Sequence, residues 1–241
     1  VETIFAQIRE ACKSINVTLV GGHTEVTYNL PRAIAVGAML GEVDKNDVVM
    51  TSGARPGDAI VLTKGVAIEG TAILAREAST ALCANGIRQD EVERARNYLF
   101  SPGISILRDA MVACAAIDIH AMHDPTEGGI ATGLLEMAES AHLGLLANLT
   151  KVPILPECRR FCDALDIDPM GLIASGSLLA AVSPSDVTLL ISKLADANIP
   201  AYEIGQFTNH SDGIKAQTTD GIRELPFFVR DELARYLSVR E

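Results

Sequence analysis

The sequence contains no tryptophan, and aromatic residues make up only 4% of its 241 positions. Hydrophobic residues nevertheless account for 48% of the chain. Because disordered chains have low hydrophobicity, this composition excludes disorder and predicts a core built from alanine, leucine, isoleucine and valine.

Long apolar runs are also missing. The apolar stretch at 34–40 is far shorter than the roughly 20 residues that a membrane-spanning helix needs. No signal-peptide pattern is visible either. We therefore expect a cytoplasmic protein with no membrane partner.

Positive charge is scarce. Lysine and arginine number 20 against 31 acidic residues, which gives a formal net charge of -11. Nucleic-acid binding requires clustered basic residues, so we expect no nucleic-acid partner. A bound nucleotide with Mg²⁺ is still compatible, because a few backbone amides and one cation can hold it.

Cysteine is sparse and has no regular spacing. The five cysteines are an odd number, and only Cys158 and Cys162 lie close together, on one face of a predicted helix. No second pair with zinc-ligand spacing accompanies them. Buried, reduced cysteines are the expected outcome.

Helical and strand patterns mix along the chain without strict alternation, which favours an α+β fold over a doubly wound nucleotide-binding fold. Gly53, Pro56 and Gly57 indicate a turn or domain junction. Helices are predicted over 2–14, 71–84, 90–99, 104–116, 156–165 and 185–197. Strands are predicted over 17–20, 33–40 (buried on both faces), 59–63, 117–122, 143–148, 178–182 and 201–207, and near Ile214 and Ile222.

The segment HDPTEGG at 123–129 places two glycines at the start of a helical pattern. Asp124 is a favoured N-cap, Pro125 suits the first helical position, and Glu127 completes a capping box. Gly128 and Gly129 would each cost about 1 kcal/mol inside a helix. Either they leave backbone amides bare for an anionic ligand, or they allow close packing against a neighbouring element.

Two further segments have a local and a functional interpretation. In VGGHTEV at 20–26, the glycines either supply unusual dihedrals at a strand exit or cradle phosphates, with His23 and Glu25 available for a metal. In KGVAIEGTAIL at 64–74, Lys64 is either a surface lysine in an ordinary turn or a phosphate ligand. His120 and His123 are not expected to share a face, which argues against a metal site there.

Taken in order, four segments resemble the aminoimidazole ribonucleotide (AIR) synthase superfamily. It includes that purine enzyme, selenophosphate synthetase, thiamine monophosphate kinase and the hydrogenase maturation protein HypE. The last three segments are most similar to the hydrogenase maturation branch and its AIR synthase-related relatives. The segments are VGGHTEV at 20–26, GARPGDAIVLTKGVAIEGTAILARE at 53–77, IHAMHDPTEGGIATGLLEMAESA at 119–141 and LDIDPMGLIASGSLLAAV at 165–182.

The resemblance implies an α+β, two-domain PurM-like architecture. Residues 1–52 would be the C-terminal part of a truncated N-terminal ATP-binding domain. Residues 53–241 would be the C-terminal domain, with three α/β/α-type layers and a mixed sheet. ATP and Mg²⁺ would bind near the domain junction of a homodimer, and a maturation partner protein is expected.

The implied activity is phosphorylation of an amide or carboxamide oxygen, on a small molecule or a protein tail. Glu25 is the metal candidate. The catalytic candidates are Asp124, Thr126 and Glu127. The nucleotide-binding candidates are Gly21, Gly22, His23, Thr24, Glu25, Lys64, Gly128 and Gly129.

The sequence departs from the family pattern in three ways. The family's early acidic metal-binding segment does not precede VGGHTEV, so we expect an incomplete ATP site in this chain, as in a fragment of a longer protein. No cysteine follows Cys162, whereas the hydrogenase maturation branch has a carbamoyl-bearing tail cysteine. His123 and Glu127 stand where that branch often has arginine. The alternatives are a non-catalytic nucleotide-binding or scaffold relative and a small-molecule kinase, whose G-G-D-T motif is G-G-H-T here.

Overall fold

The computed structural model describes residues 1–238, and it divides the chain into two compact units. The first unit is Val1–Val48 and the second is Val49–Glu241. Among residues 1–238, every helix is too short or too polar to cross a bilayer.

The first unit contains one regular element, helix α1 (Glu2–Ser14), as predicted. The strands predicted over 17–20 and 33–40 are wrong, because neither segment is a strand in the structure. A strand requires a partner for its backbone hydrogen bonds, and neither segment pairs with another strand within residues 1–238. The apolar side chains there are exposed, including Val20 at 91% and Val36 at 94%.

The second unit is built on a seven-stranded sheet. Its strands are β1 (Ala59–Thr63), β2 (Ile119–His123), β3 (Gly144–Asn148), β4 (Leu179–Val182), β5 (Ala201–Thr208), β6 (Ile214–Thr218) and β7 (Gly221–Glu224). Its helices are α2 (Ile68–Glu77), α3 (Ser79–Ala84), α4 (Gln89–Arg96), α5 (Leu107–Ala116), α6 (Gly129–Ala141), α7 (Pro156–Leu165), α8 (Val187–Asp196) and α9 (Glu232–Ser238).

The sheet is mixed. Its strand order is β2-β4-β1-β5-β3-β6-β7, with β1 hydrogen-bonded to β4 on one side and to β5 on the other. The pairs are antiparallel except β3 with β6, which is parallel. The predicted strands at 59–63 and 201–207 therefore lie next to each other.

Helices cover both faces of the sheet. Side chains along a strand alternate between these faces, so a single strand contributes to the core on each side. Ile60 and Leu62 of β1 pack into the larger core, which also contains buried residues of α2, α4, α6, α7 and α9. Ala59 and Val61 pack into a second core with α5 and α8. The three-layer α/β/α arrangement around a mixed sheet is thus confirmed.

The cysteine prediction is correct for only part of the set. All five cysteines are free, and Cys158 and Cys162 are buried on α7. Cys83 and Cys114 are exposed, because they lie on the outer faces of α3 and α5.

Candidate functional site

Three loops of the second unit meet at one place, and each contains a motif identified in the sequence. We call them loop A (64–67, between β1 and α2), loop B (124–128, between β2 and α6) and loop C (166–178, between α7 and β4). The main chain of loop C is hydrogen-bonded to loop B, from Ala174 N to Thr126 O at 3.1 Å, and to the first turn of α2, which follows loop A, from Gly70 N to Ile173 O at 3.2 Å. The fold therefore joins segments far apart in sequence into one cluster.

Loop C packs so closely on the starts of α2 and α6 that only glycine fits there. A Cβ atom on Gly70 would overlap the Leu172 side chain and Ile173 O. A Cβ atom on Gly129 would overlap the main chain at Met170 and Leu172. Close packing, one of the two interpretations of HDPTEGG, thus accounts for Gly129.

Helix α6 begins later than the capping pattern predicts. Gly128 is its N-cap, with φ of 76°, and Gly129 has φ of 68°. Glycine adopts this left-handed backbone without the penalty that other residues pay, so the two glycines do not weaken the helix. The prediction of Asp124 as N-cap, Pro125 at the first helical position and a capping box is therefore wrong.

The expectation of bare amides at this helix start is also wrong. Gly128 N donates to Asp231 Oδ2 at 2.8 Å, and Gly129 N donates to Thr126 O at 3.1 Å. Both amides thus have partners within the chain. The assignment of Gly128 and Gly129 to nucleotide binding stays a prediction.

Loop B presents polar side chains to solvent. Asp124, Thr126 and Glu127 are all exposed. Within residues 1–238, none of these three side chains makes a hydrogen bond or an ion pair. Their backbone is held by loop C through Thr126 O, and their functional groups remain available to a ligand.

Lys64 is not a surface lysine. It is 8% exposed, has a left-handed backbone with φ of 59°, and donates from Nζ to Ser105 O at 2.9 Å. Its Nζ also lies 3.4 Å from Asp109 Oδ1, and Asp109 accepts a hydrogen bond from Thr63. Burial lowers the pKa of Lys64, and Asp109 opposes that shift. Phosphate binding by Lys64 stays a prediction.

The two histidines of β2 contact different partners. His120 Nδ1 lies 2.9 Å from the buried Asp58 carboxylate, and its Nε2 lies 3.0 Å from the Arg55 guanidinium. Because arginine can only donate, Nε2 must accept, which places the proton on Nδ1. His123 Nε2 lies 2.9 Å from Glu136. Across residues 1–238, no three metal-binding side chains of His, Cys, Asp or Glu are grouped.

The nucleotide candidates of the first unit are fully accessible. His23 Nε2 lies 3.5 Å from Glu25 Oε2, and their side chains are 82% and 72% exposed. Gly21 and Gly22 lack positive φ, so the dihedral interpretation of these glycines is wrong. A Cβ atom on either would meet nothing within 4 Å. The described structure therefore gives no packing reason for glycine at these two positions.

The sequence did not indicate that the C-terminal segment is part of the loop cluster. Asp231 contacts Gly128, and Glu232 accepts a hydrogen bond from Asp168 N at 3.0 Å. The Phe228 ring packs against Gly171 of loop C. The only available signal was an acidic pair, Asp231-Glu232, which is typical of a helix N-terminus.

Comparison with protein families assigns this chain to a class. The family described as AIR synthase related protein, C-terminal domain, matches residues 55–215, which is more than half of the chain. The chain belongs to this family, as the resemblance indicated.

The individual relatives include hydrogenase maturation proteins and selenide, water dikinases. A protein of Methanocaldococcus jannaschii named for hydrogenase expression and formation is 28% identical over 236 residues, covering 97% of this chain and 67% of the relative. Carbamoyl dehydratase HypE of Cupriavidus necator is 29% identical over 159 residues, covering 64% of this chain and 41% of the relative. The chain thus spans about two-thirds of the first relative and under half of the second.

Solved structures confirm the fold. The crystal structure of E. coli HypE superposes with a TM-score of 0.62 at 18% identity, covering 78% of this chain and 55% of that one. HypE crystallised in complex with ATP gives a TM-score of 0.59 at 24% identity, covering 80% and 57%. The predicted α+β, PurM-like architecture is therefore correct.

Proposed function

We propose that the chain is part of an ATP-dependent hydrogenase maturation enzyme that phosphorylates a carbamoyl or carboxamide oxygen. The observation that carries the proposal is loop B, which holds Asp124, Thr126 and Glu127 on a fixed backbone with free side chains. The name carbamoyl dehydratase, which belongs to a relative 29% identical to this chain, supports the choice of acceptor.

The proposed reaction removes water from a carboxamide at the expense of ATP. The carboxamide oxygen bonds to the γ-phosphorus, and the bond to ADP breaks. The phosphorylated oxygen then departs as inorganic phosphate while the nitrogen loses two protons, which leaves a nitrile. Asp124 and Glu127 are the proposed bases for these protons, and the Thr126 hydroxyl orients the acceptor.

The first unit supplies the proposed nucleotide contacts. The open space around Gly21 and Gly22 allows phosphates to approach the backbone of this segment, beside the polar groups of His23 and Thr24. The exposed Glu25 carboxylate suits Mg²⁺, which usually binds through one or two carboxylates plus phosphate oxygens. Mg²⁺ neutralises charge on the phosphates when bound.

Assembly with other chains is part of the proposal. One HypE structure related in fold is that of a HypE-HypF complex. By analogy, we propose a maturation protein as partner and a homodimer as the working assembly. A small molecule or a protein tail would carry the phosphate acceptor.

The experiment measures Mg²⁺-dependent ADP formation by the product of the whole reading frame, with a peptide carrying an S-carbamoyl cysteine as acceptor. We expect Asp124→Asn to reduce ADP formation about 100-fold or more, as loss of a catalytic base does. Stability should hardly change, because the Asp124 side chain is exposed and makes no hydrogen bond or ion pair within residues 1–238. The matched control is Asp163→Asn, an exposed carboxylate on α7. Equal ADP formation by both variants would remove Asp124 from the mechanism.

A non-catalytic nucleotide-binding relative is the second candidate. The observation that favours it is the internal pairing of both Gly128 N and Gly129 N, so neither of these amides is free to bind an anion. Nucleotide binding by the wild-type protein without any ADP formation would support this candidate.

A further inference from the structure

We infer that Asp231 is a positioning residue that fixes loop B through the Gly128 amide. The catalytic consequence of this inference rests on the proposed function, whereas its structural part does not. Asp231 precedes α9 and is separated from Gly128 by 103 positions in the sequence. Its carboxylate nevertheless lies where α6 begins.

The two carboxylate oxygens of Asp231 bind the starts of two different helices. Oδ2 accepts from Gly128 N at 2.8 Å, at the N-cap of α6. Oδ1 accepts from Leu233 N at 2.8 Å, in the first turn of α9. One charged group thus satisfies amides that each helix leaves unpaired at its N-terminus.

The segment carrying Asp231 is itself held firmly against the cluster. Glu232 N donates to Gly171 O at 3.0 Å, and Arg235 donates to Asp166 O at 2.6 Å, so loop C is held as well. Leu233 and Tyr236 are buried in the larger core. Asp231 is therefore anchored independently of loop B, and it can act as a fixed support for that loop.

Loop C supports loop B at Thr126 O, and the neighbouring Gly129 packs against loop C. At Gly128 N, by contrast, the hydrogen-bond partner is Asp231. Gly128 itself has no side chain that could limit backbone rotation. Without the carboxylate, the turn that carries Thr126 and Glu127 loses its hydrogen bond to the C-terminal segment.

The structural test is amide hydrogen exchange in Asp231→Asn and Asp231→Ala. Asparagine retains one acceptor oxygen for two amides, and alanine retains none. We expect exchange at Gly128 to rise at least tenfold in the alanine variant and by less in the asparagine variant. Exchange at 134–137, inside α6, should stay unchanged. The control is Asp212→Asn, whose carboxylate also accepts a backbone amide, that of Asn209, away from the cluster.

The catalytic test compares kcat and KM in the same variants. We expect kcat for ADP formation to fall about tenfold in Asp231→Asn, with KM for ATP within twofold, because the nucleotide contacts of the proposed function lie at Gly21–Glu25 and Gly128 N is already paired with Asp231. Asp231→Glu retains the negative charge and should restore part of kcat. It is the variant to measure if Asp231→Ala does not fold. Wild-type exchange at Gly128 in Asp231→Ala, or a kcat of Asp231→Asn equal to that of Asp212→Asn, would overturn the inference. No ADP from the wild type would instead count against the proposed function.

Discussion

At the scale of single residues, Gly70 and Gly129 determine how closely loop C can approach the starts of α2 and α6. Both lie where a Cβ atom would overlap the main chain of loop C. Gly129 has a second requirement, since its φ of 68° is unfavourable for a residue with a side chain. The geometry of loop B therefore depends on this one position for two separate reasons.

Replacing Gly129 with alanine should destabilise the protein through both backbone strain and overlap. Gly86→Ala is the control, because Gly86 has φ of 83° but open space around it. We expect the control to lower the free energy of unfolding by about 1 kcal/mol, from backbone strain alone. Gly129→Ala should lower it by about 1–3 kcal/mol more, from overlap with loop C. Urea unfolding measures both, and equal losses would show that the overlap is relieved without cost.

Residue roles were only partly predictable from the sequence. The two interpretations of Gly129 could not be separated, since its neighbour Met170 lies 41 positions away and only the fold brings them together. For Lys64, the sequence left open a surface lysine and a phosphate ligand, and nothing local indicated its buried partner Asp109. In contrast, the exposure of Asp124, Thr126 and Glu127 fits their polar character.

At the scale of elements, α9 connects the C-terminal segment to loop C through Glu232. Arg235 donates two hydrogen bonds to its carboxylate, at 2.6 Å each, and Asp168 N donates a third. The Arg235 guanidinium lowers the pKa of Glu232 below its ordinary value of 4.5, against the opposing effect of burial. The ionised carboxylate is therefore favoured in the folded protein.

Glu232→Gln should flatten the loss of stability in acid. A carboxyl group whose pKa is lowered by folding contributes stability above its ordinary pKa, and that contribution disappears as the pH falls through the lower, folded value. We expect the free energy of unfolding of the wild type to fall more steeply than that of Glu232→Gln between about pH 5 and pH 3. Glu224→Gln, at an exposed position on β7, is the control. Parallel curves for wild type and Glu232→Gln would contradict the assignment.

The helices and strands of the second unit were largely predictable from the sequence. Their patterns of apolar residues reflect burial in the cores on the two faces of the sheet. The strand at 59–63 has the predicted bounds, and all five of its residues are buried. The predicted helix at 71–84 begins at Ile68 and is divided at Ala78 into α2 and α3. The segments at 17–20 and 33–40 have strand-like composition, but pairing is not a local property, and they lack strand partners in the described structure.

At the scale of the whole molecule, the family assignment and the loop cluster rest on the same sequence motifs. Four ordered motifs indicated the superfamily, and the family match over 55–215 confirmed it. The three motifs in the second unit meet through main-chain hydrogen bonds, which local patterns cannot show. The chain covers 55% of the E. coli HypE structure, so activity is best measured on the product of the whole reading frame.

The most direct test of the central claim follows the acceptor oxygen. A peptide whose S-carbamoyl cysteine carries ¹⁸O in the carbamoyl group is incubated with the protein, ATP and Mg²⁺, and the released phosphate is analysed by mass spectrometry. Phosphorylation of the carbamoyl oxygen predicts one ¹⁸O atom in the phosphate for each nitrile formed. Unlabelled phosphate would mean that water attacks ATP instead, and this result would contradict the proposed function.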